Sequence, residues 1–259
     1  MSQKIKLYQQ GKGEALTLIH GWGMNSAVFE PLTRQLAGEF SVTRADLPGH
    51  GRSGWSGQAN FEDQLDTLAA VLPESTLLGW SLGGLYALHL VSRYPQKFKK
   101  LILVSCNPCF VQRENWSTAV QASVFAEFSA SLEDNWQATI RRFLGLQMLG
   151  VDSARSLIRQ ISELLLNGGE PDPAAMKFGL DLLLSHDART VLQEIEVPVL
   201  EILGQRDTLV PVRLAAQLPL INPAIRVECL ARSAHAPFLS HSDLFAELIR
   251  EFVKPTTTG

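Results

Sequence analysis

Apolar positions along the first hundred residues fall into two alternating patterns. Residues 15–19, 76–78 and 101–105 are short, nearly continuous apolar runs, as expected of strands covered on both faces of a sheet. Residues 40–45 make a further strand of similar length. Between these runs the apolar positions recur with helical spacing, over residues 28–37, 61–71 and 82–94. Asn60 is placed to cap the second of these helices, Asp63 lies near its positive end, and Pro95 stops the third. Residues 4–8 alternate apolar and charged side chains and read as an edge strand. Strands alternating with helices predict an α/β fold built on a mostly parallel, doubly wound central sheet flanked by helices.

From Asn107 that alternation stops. Residues 118–132, 135–148, 154–166 and 174–184 have helical spacing, divided by Gly150, Gly168, Gly169 and the prolines at 171 and 173, with no convincing strand among them. The sheet resumes at 199–203, followed by a helix at 211–218, a strand at 225–230 and a last helix from about Asp243 to Val253. The expected organisation is a core of residues 1–106 and 185–259, with residues 107–184 inserted as a helical cap, or lid.

Composition narrows the classes of function. A chain of 259 residues with net charge −3 lacks the basic excess of a general nucleic-acid binder, so an anionic partner must meet a local basic patch. No apolar run approaches membrane-spanning length, and the first 14 residues carry three lysines without the apolar stretch of a secretory signal. A cytoplasmic monomer is expected. Of three cysteines, Cys106 and Cys109 have Cys-x-x-Cys spacing. They follow a strand rather than opening a helix, and a zinc site would need a second pair where Cys229 alone remains, so two reduced thiols are the favoured reading.

Candidate chemistry centres on Gly79-Trp80-Ser81-Leu82-Gly83, between a strand and a helix. This is the context of a nucleophile elbow, in which small residues allow a strained turn that exposes the serine. A serine hydroxyl needs a base to take its proton, and the base needs an orienting acid. Asp207 lies just past the strand at 199–203 and His235 just past the strand at 225–230, the carboxyl ends where catalytic groups of such sheets gather. Taken singly, Asp207 could be a helix cap and His235 a buried turn histidine. Together they follow Ser81 in the order acid, then base. His89, His186 and His241 do not follow a strand after the acid and compete poorly.

These motifs, with the Asp46-Leu47-Pro48-Gly49-His50-Gly51-Arg52-Ser53 run after the strand at 40–45, resemble the α/β-hydrolase superfamily. The resemblance implies acyl transfer to Ser81, with His235 as base and Asp207 as orienting acid, and with no metal and no organic cofactor. It also implies an oxyanion hole from the backbone N–H of Leu82 and that of a residue in His20-Gly21-Trp22-Gly23, taken as Trp22. Serine rather than aspartate at the elbow disfavours dehalogenase and epoxide-hydrolase chemistry. Asp46 and His50 are read as groups that hold a Gly/Pro turn.

A closer similarity is to the carboxylesterases of biotin synthesis, which act on pimeloyl-acyl-carrier-protein methyl ester. It is carried by the tryptophans of the two motifs above, by Arg142-Phe143-Leu144, by Leu146-Gln147 and by Ala234-His235-Ala236-Pro237-Phe238. It implies an acyl-carrier protein as partner, with Arg142, Arg155, Arg159 and Arg141 as contacts and Trp22, Leu82, Phe143, Leu146 and Phe128 as substrate-binding residues. The residues agree in part: four arginines stand between 141 and 159 against one acid, Asp152, and Arg155 and Arg159 share a helix face. A basic patch would steer an acidic carrier, although a merely solvated face has the same composition. A general short-chain esterase, another serine hydrolase and a non-catalytic ligand-binding module of the same fold remain open at this point.

Overall fold

The structure is a computed structural model that describes residues 4–57, 60–124, 127, 130–131, 136–147, 151 and 154–254. Among these, the strands β1 (Leu7–Gln10), β2 (Glu14–Ile19), β3 (Phe40–Ala45), β4 (Ser75–Trp80), β5 (Phe98–Val104), β6 (Val199–Gly204) and β7 (Ile225–Leu230) form one sheet. Its order is β1-β3-β2-β4-β5-β6-β7, with β1 antiparallel to β3 and every other pair parallel. Every residue of β4 is buried, which explains its apolar run, and β4 lies between β2 and β5 at the centre.

The helices of the first half are α1 (Glu30–Leu36), α2 (Phe61–Val71) and α3 (Leu82–Arg93). Asn60 accepts the N–H of Asp63 at 2.8 Å and so caps α2. Between β5 and β6 come α4 (Trp136–Gln147), α5 (Ala154–Gly168), α6 (Pro173–Ser185) and α7 (Arg189–Glu194) and, among the described residues, no named strand. Short α8 (Leu218–Ile221) and α9 (Pro237–Ser240) precede α10 (Ser242–Val253), whose buried Phe245, Leu248 and Ile249 face the core.

Four local expectations are corrected. The edge strand runs over Leu7–Gln10, because Lys4 and Lys6 spend their backbone groups on the loop after β3: the Lys4 and Lys6 carbonyls accept Gly54 N–H and Asp46 N–H, and Lys6 N–H donates to Ser53. The helix expected at 28–37 is a 3₁₀ turn, Ser26–Phe29, followed by α1, because Asn25 caps the turn and Pro31 in the first turn of α1 has no N–H to continue a ladder. Pro219 likewise divides the helix expected at 211–218 into a 3₁₀ segment, Val212–Ala216, and α8. α7 was not anticipated; Leu192 is its one fully buried residue, too little for an apolar stripe to register.

Candidate active site

β4 and α3 meet at Ser81, whose φ of 55° and ψ of −119° put a non-glycine residue in strained territory. Its N–H is held by the Val104 carbonyl at 3.0 Å. The turn is tight enough that a Cβ on Gly79 would stand 2.3 Å from the Gly83 carbonyl oxygen, and one on Gly83 would stand 2.4 Å from that of Ile19. The glycines of the motif are therefore required by close backbone approach.

The loop after β2 leans on this turn. A Cβ on Gly21 would lie 3.2 Å from the Cβ of Ser81, which brings His20–Gly23 beside the serine. His20 is fully buried and fixes the loop: its Nδ1–H donates to the Gly21 carbonyl at 2.8 Å, and its Nε2 accepts Leu47 N–H at 3.0 Å. Burial, then the neighbouring His50, pushes its pKa down to about 3, so the ring is neutral. The Trp22 indole donates to the Met176 carbonyl at 2.8 Å, tying this loop to α6. Leu82 opens α3, so its N–H lies in the first turn, where no intrahelical acceptor exists.

Asp207 and His235 come together from the ends of β6 and β7. One carboxylate oxygen of Asp207 accepts the N–H groups of Leu209 and Val210 at 2.8 and 2.9 Å, and the other stands 2.8 Å from His235 Nδ1. Both residues are buried. With Nδ1–H donating to the carboxylate, Nε2 carries the lone pair; it is buried and has no hydrogen-bond partner. The ring is positioned from outside the motif as well. Trp80, beside Ser81, donates its indole N–H to the His235 carbonyl at 2.8 Å, and the Gln147 carbonyl at the end of α4 accepts His235 N–H at 3.1 Å.

A strained serine whose neighbour Trp80 holds the backbone of a histidine, itself set by a carboxylate through Nδ1, is an arrangement for nucleophilic acyl transfer. A scan of family descriptions agrees, matching the alpha/beta hydrolase family over residues 18–248. The chain belongs to the alpha/beta hydrolase family. Among curated proteins the hydrolase is similar to the pimeloyl-[acyl-carrier protein] methyl ester esterase of Xylella fastidiosa, with 40% identity over 94% of this chain and 96% of the relative. It is also similar to the protein of that name from Aliivibrio salmonicida, with 34% identity over 98% of each. Among solved structures it superposes on an esterase from Exiguobacterium antarcticum with a TM-score of 0.89 at 22% identity, over 98% of this chain and 96% of that one. A bromoperoxidase from Bacillus anthracis gives 0.88 at 20% identity, over the same shares; both likenesses speak to the fold.

The remaining expected residues of the hydrolase lie mainly on α4 and α5. Arg142, Arg155 and Arg159 are exposed, and Arg159 stands 3.8 Å from Glu163 one turn on, so its charge is partly offset. Arg141, Phe143 and Leu146 fall within α4, their side chains outside the description, and Phe128 lies outside the described residues. Asp46 and His50 hold the loop after β3: Asp46 accepts Ser26 N–H and Arg52 N–H at 2.8 and 3.0 Å, and His50 Nδ1–H donates to the Pro48 carbonyl at 3.0 Å. Cys106 and Cys109 are buried free thiols, and burial pushes the Cys106 thiol up, away from reactivity. Among the described residues no helix is long and apolar enough to cross a membrane.

The positioning bonds from Trp80 and Gln147 were not foreseen as such. Trp80 and His235 are 155 positions apart, and nothing in either motif announces that they touch.

Proposed function

We propose that this protein is a serine carboxylesterase that hydrolyses the methyl ester of pimeloyl-[acyl-carrier protein], giving the free carboxylate and methanol. Ser81 Oγ attacks the ester carbonyl carbon while its proton passes to His235 Nε2. The backbone N–H groups of Leu82 and Trp22 take the developing oxyanion, a contribution of about 10² to 10³ in turnover per donor. As the C–OCH₃ bond breaks, the Nε2 proton goes to the leaving methoxide. Water, deprotonated by the same nitrogen, then releases the acyl group from Ser81. Asp207 keeps Nδ1 protonated and stabilises the imidazolium; no step calls on a metal or organic cofactor.

The observation that carries this reading is the 2.8 Å contact of Asp207 with His235 Nδ1, which leaves Nε2 unpartnered in a histidine whose backbone is bonded to Trp80, the neighbour of Ser81. The substrate is supported by near full-length similarity to esterases named for it. In this reading residues 107–184 form the lid over the site. Phe128, Phe143 and Leu146 line the acyl channel, Trp22 and Leu82 stand at its reacting end, and Arg142, Arg155, Arg159 and Arg141 receive the acidic carrier. A docked carrier also keeps the substrate's thioester away from Ser81.

The test is methanol release from the carrier-linked methyl ester by purified protein, alongside Ser81→Ala. Turnover by the wild type and its loss in a folded Ser81→Ala variant are expected; substantial turnover by the variant would overturn the nucleophile assignment.

A further inference from the structure

On the helix that leaves the Ser81 turn, a histidine meets another 97 positions further along the chain. His89, on the outer part of α3, and His186, the residue that ends α6, bring their Nε2 atoms to 2.7 Å, with ring centroids 4.7 Å apart and planes at 65°. Both rings meet the edge or face of Phe61, at 5.1 and 5.2 Å, which gives the pair a fixed apolar wall. Both residues are half-buried and so remain in reach of solvent.

As drawn, one Nε2 carries a proton that the other accepts. A neutral imidazole is the form that binds a metal. Shifting the one shared proton to a ring Nδ1 frees two convergent lone pairs without expelling a proton from the protein. Nitrogens at about 2.0–2.1 Å from one metal stand about 2.9 Å apart at a right angle and about 3.3 Å apart at the tetrahedral angle, so the pair has to open by roughly 0.2 to 0.6 Å, with each ring turning toward the ion. The nearby carboxylates are engaged elsewhere: Asp187 is bonded to Arg189 at 2.9 and 2.7 Å and lies 3.7 Å from Arg113, and Glu62 is paired with Arg93. Among the described residues no group of three or more metal-ligating side chains stands together, so water has to complete the coordination.

We propose that His89 and His186 form a two-imidazole site for a borderline divalent transition metal such as Zn²⁺, Cu²⁺ or Ni²⁺. Imidazole suits these ions over Mg²⁺ or Ca²⁺, which take oxygen ligands. The site joins α3, the helix that begins at the elbow, to the point where the chain leaves α6 and returns to the core. A bound ion pins these two elements together.

The experiment is calorimetric titration of the chelator-treated full chain with Zn²⁺ in a non-coordinating buffer at neutral pH, and with Mg²⁺ as comparison. One Zn²⁺ per chain is expected, with affinity at least tenfold lower in His89→Gln and in His186→Gln and unchanged in His241→Gln and Cys229→Ser. A second measurement uses the wild type alone: Zn²⁺ should shield His89 and His186, but not His241, from acylation by diethyl pyrocarbonate, read by mass spectrometry. Absence of stoichiometric uptake, uptake that survives in both histidine variants, or shielding of neither histidine overturns the proposal.

Discussion

A Cβ added to Gly179 would stand 3.0 Å from Cδ1 of the Trp22 indole and 3.0 Å from Cδ2 of Leu82. Gly179 lies inside α6, one turn beyond Met176, whose carbonyl accepts the Trp22 indole N–H. The indole is thus held by one turn of α6 and given room by the next.

In an ordinary helix, replacing an interior glycine removes a cost of about 1 kcal/mol. At Gly179 the sign reverses, because the ring it would meet is pinned and cannot swing away. Gly179→Val is expected to lower Tm and to reduce kcat at least tenfold, since it presses on both residues proposed to donate N–H groups to the oxyanion. Wild-type turnover in a folded Gly179→Val variant would show that Trp22 and Leu82 tolerate displacement.

Carrier docking on α5 separates from chemistry by charge reversal. Arg155→Glu and Arg159→Glu should raise KM for the carrier-linked ester several-fold, leave turnover of a small free methyl ester unchanged, and weaken the salt dependence of kcat/KM. Arg159 gives the smaller effect, because Glu163 already shares its charge. Equal loss on both substrates would point to a structural role for these arginines.

Acid sensitivity follows from the two buried histidines at the loops after β2 and β3. The folded pKa of His20 is about 3, below its ordinary 6.5, and burial lowers that of His50 as well. A depressed folded pKa means that the unfolded chain binds protons first. This part of the stability is whole above about pH 6.5 and is lost as pH falls toward 3. Thermal melts should show Tm declining across that window. His50→Phe removes one of the two depressed groups and should flatten the acid slope, while losing the bond to the Pro48 carbonyl should lower Tm at pH 7. A steeper slope in that variant would count against this account.

Glu201 has the opposite sign. It is fully buried on β6; one carboxyl oxygen accepts Cys106 N–H at 3.0 Å and the other has no partner. Burial, opposed in part by that bond and reinforced by Asp207, pushes its pKa well up, so the stability associated with its neutral form is present at low pH and lost as pH rises past the ordinary carboxylate value. Glu201→Gln keeps the acceptor for Cys106 N–H without an ionisable group. It is expected to raise Tm at pH 7 to 8 and to leave Tm near pH 4 unchanged, as read by calorimetry.

Features of the site governed by local backbone demands were legible in the sequence. The elbow could be read because Gly79 and Gly83 answer to close approaches within the same turn. The ranges of β3, β7 and α2 were read correctly because burial pattern and Asn60 mark them directly. Where backbone hydrogen bonds rather than periodicity set the outcome, as at Lys4 and Lys6 before β1, the alternating pattern misled. Contacts between distant segments left no trace at all: neither the Trp80 bond to the His235 carbonyl nor the meeting of His89 with His186 is written in any local pattern.

The bond from His235 N–H to the Gln147 carbonyl ties the end of α4 to the histidine of the candidate site. In the proposed lid, α4 has a second task, because its last carbonyl is a bearing on which the proposed base is mounted. A swing of α4 outward withdraws that bearing, leaving Asp207 and Trp80 to hold His235 from one side. Any displacement of that helix would therefore be felt at the imidazole as well as at the entrance.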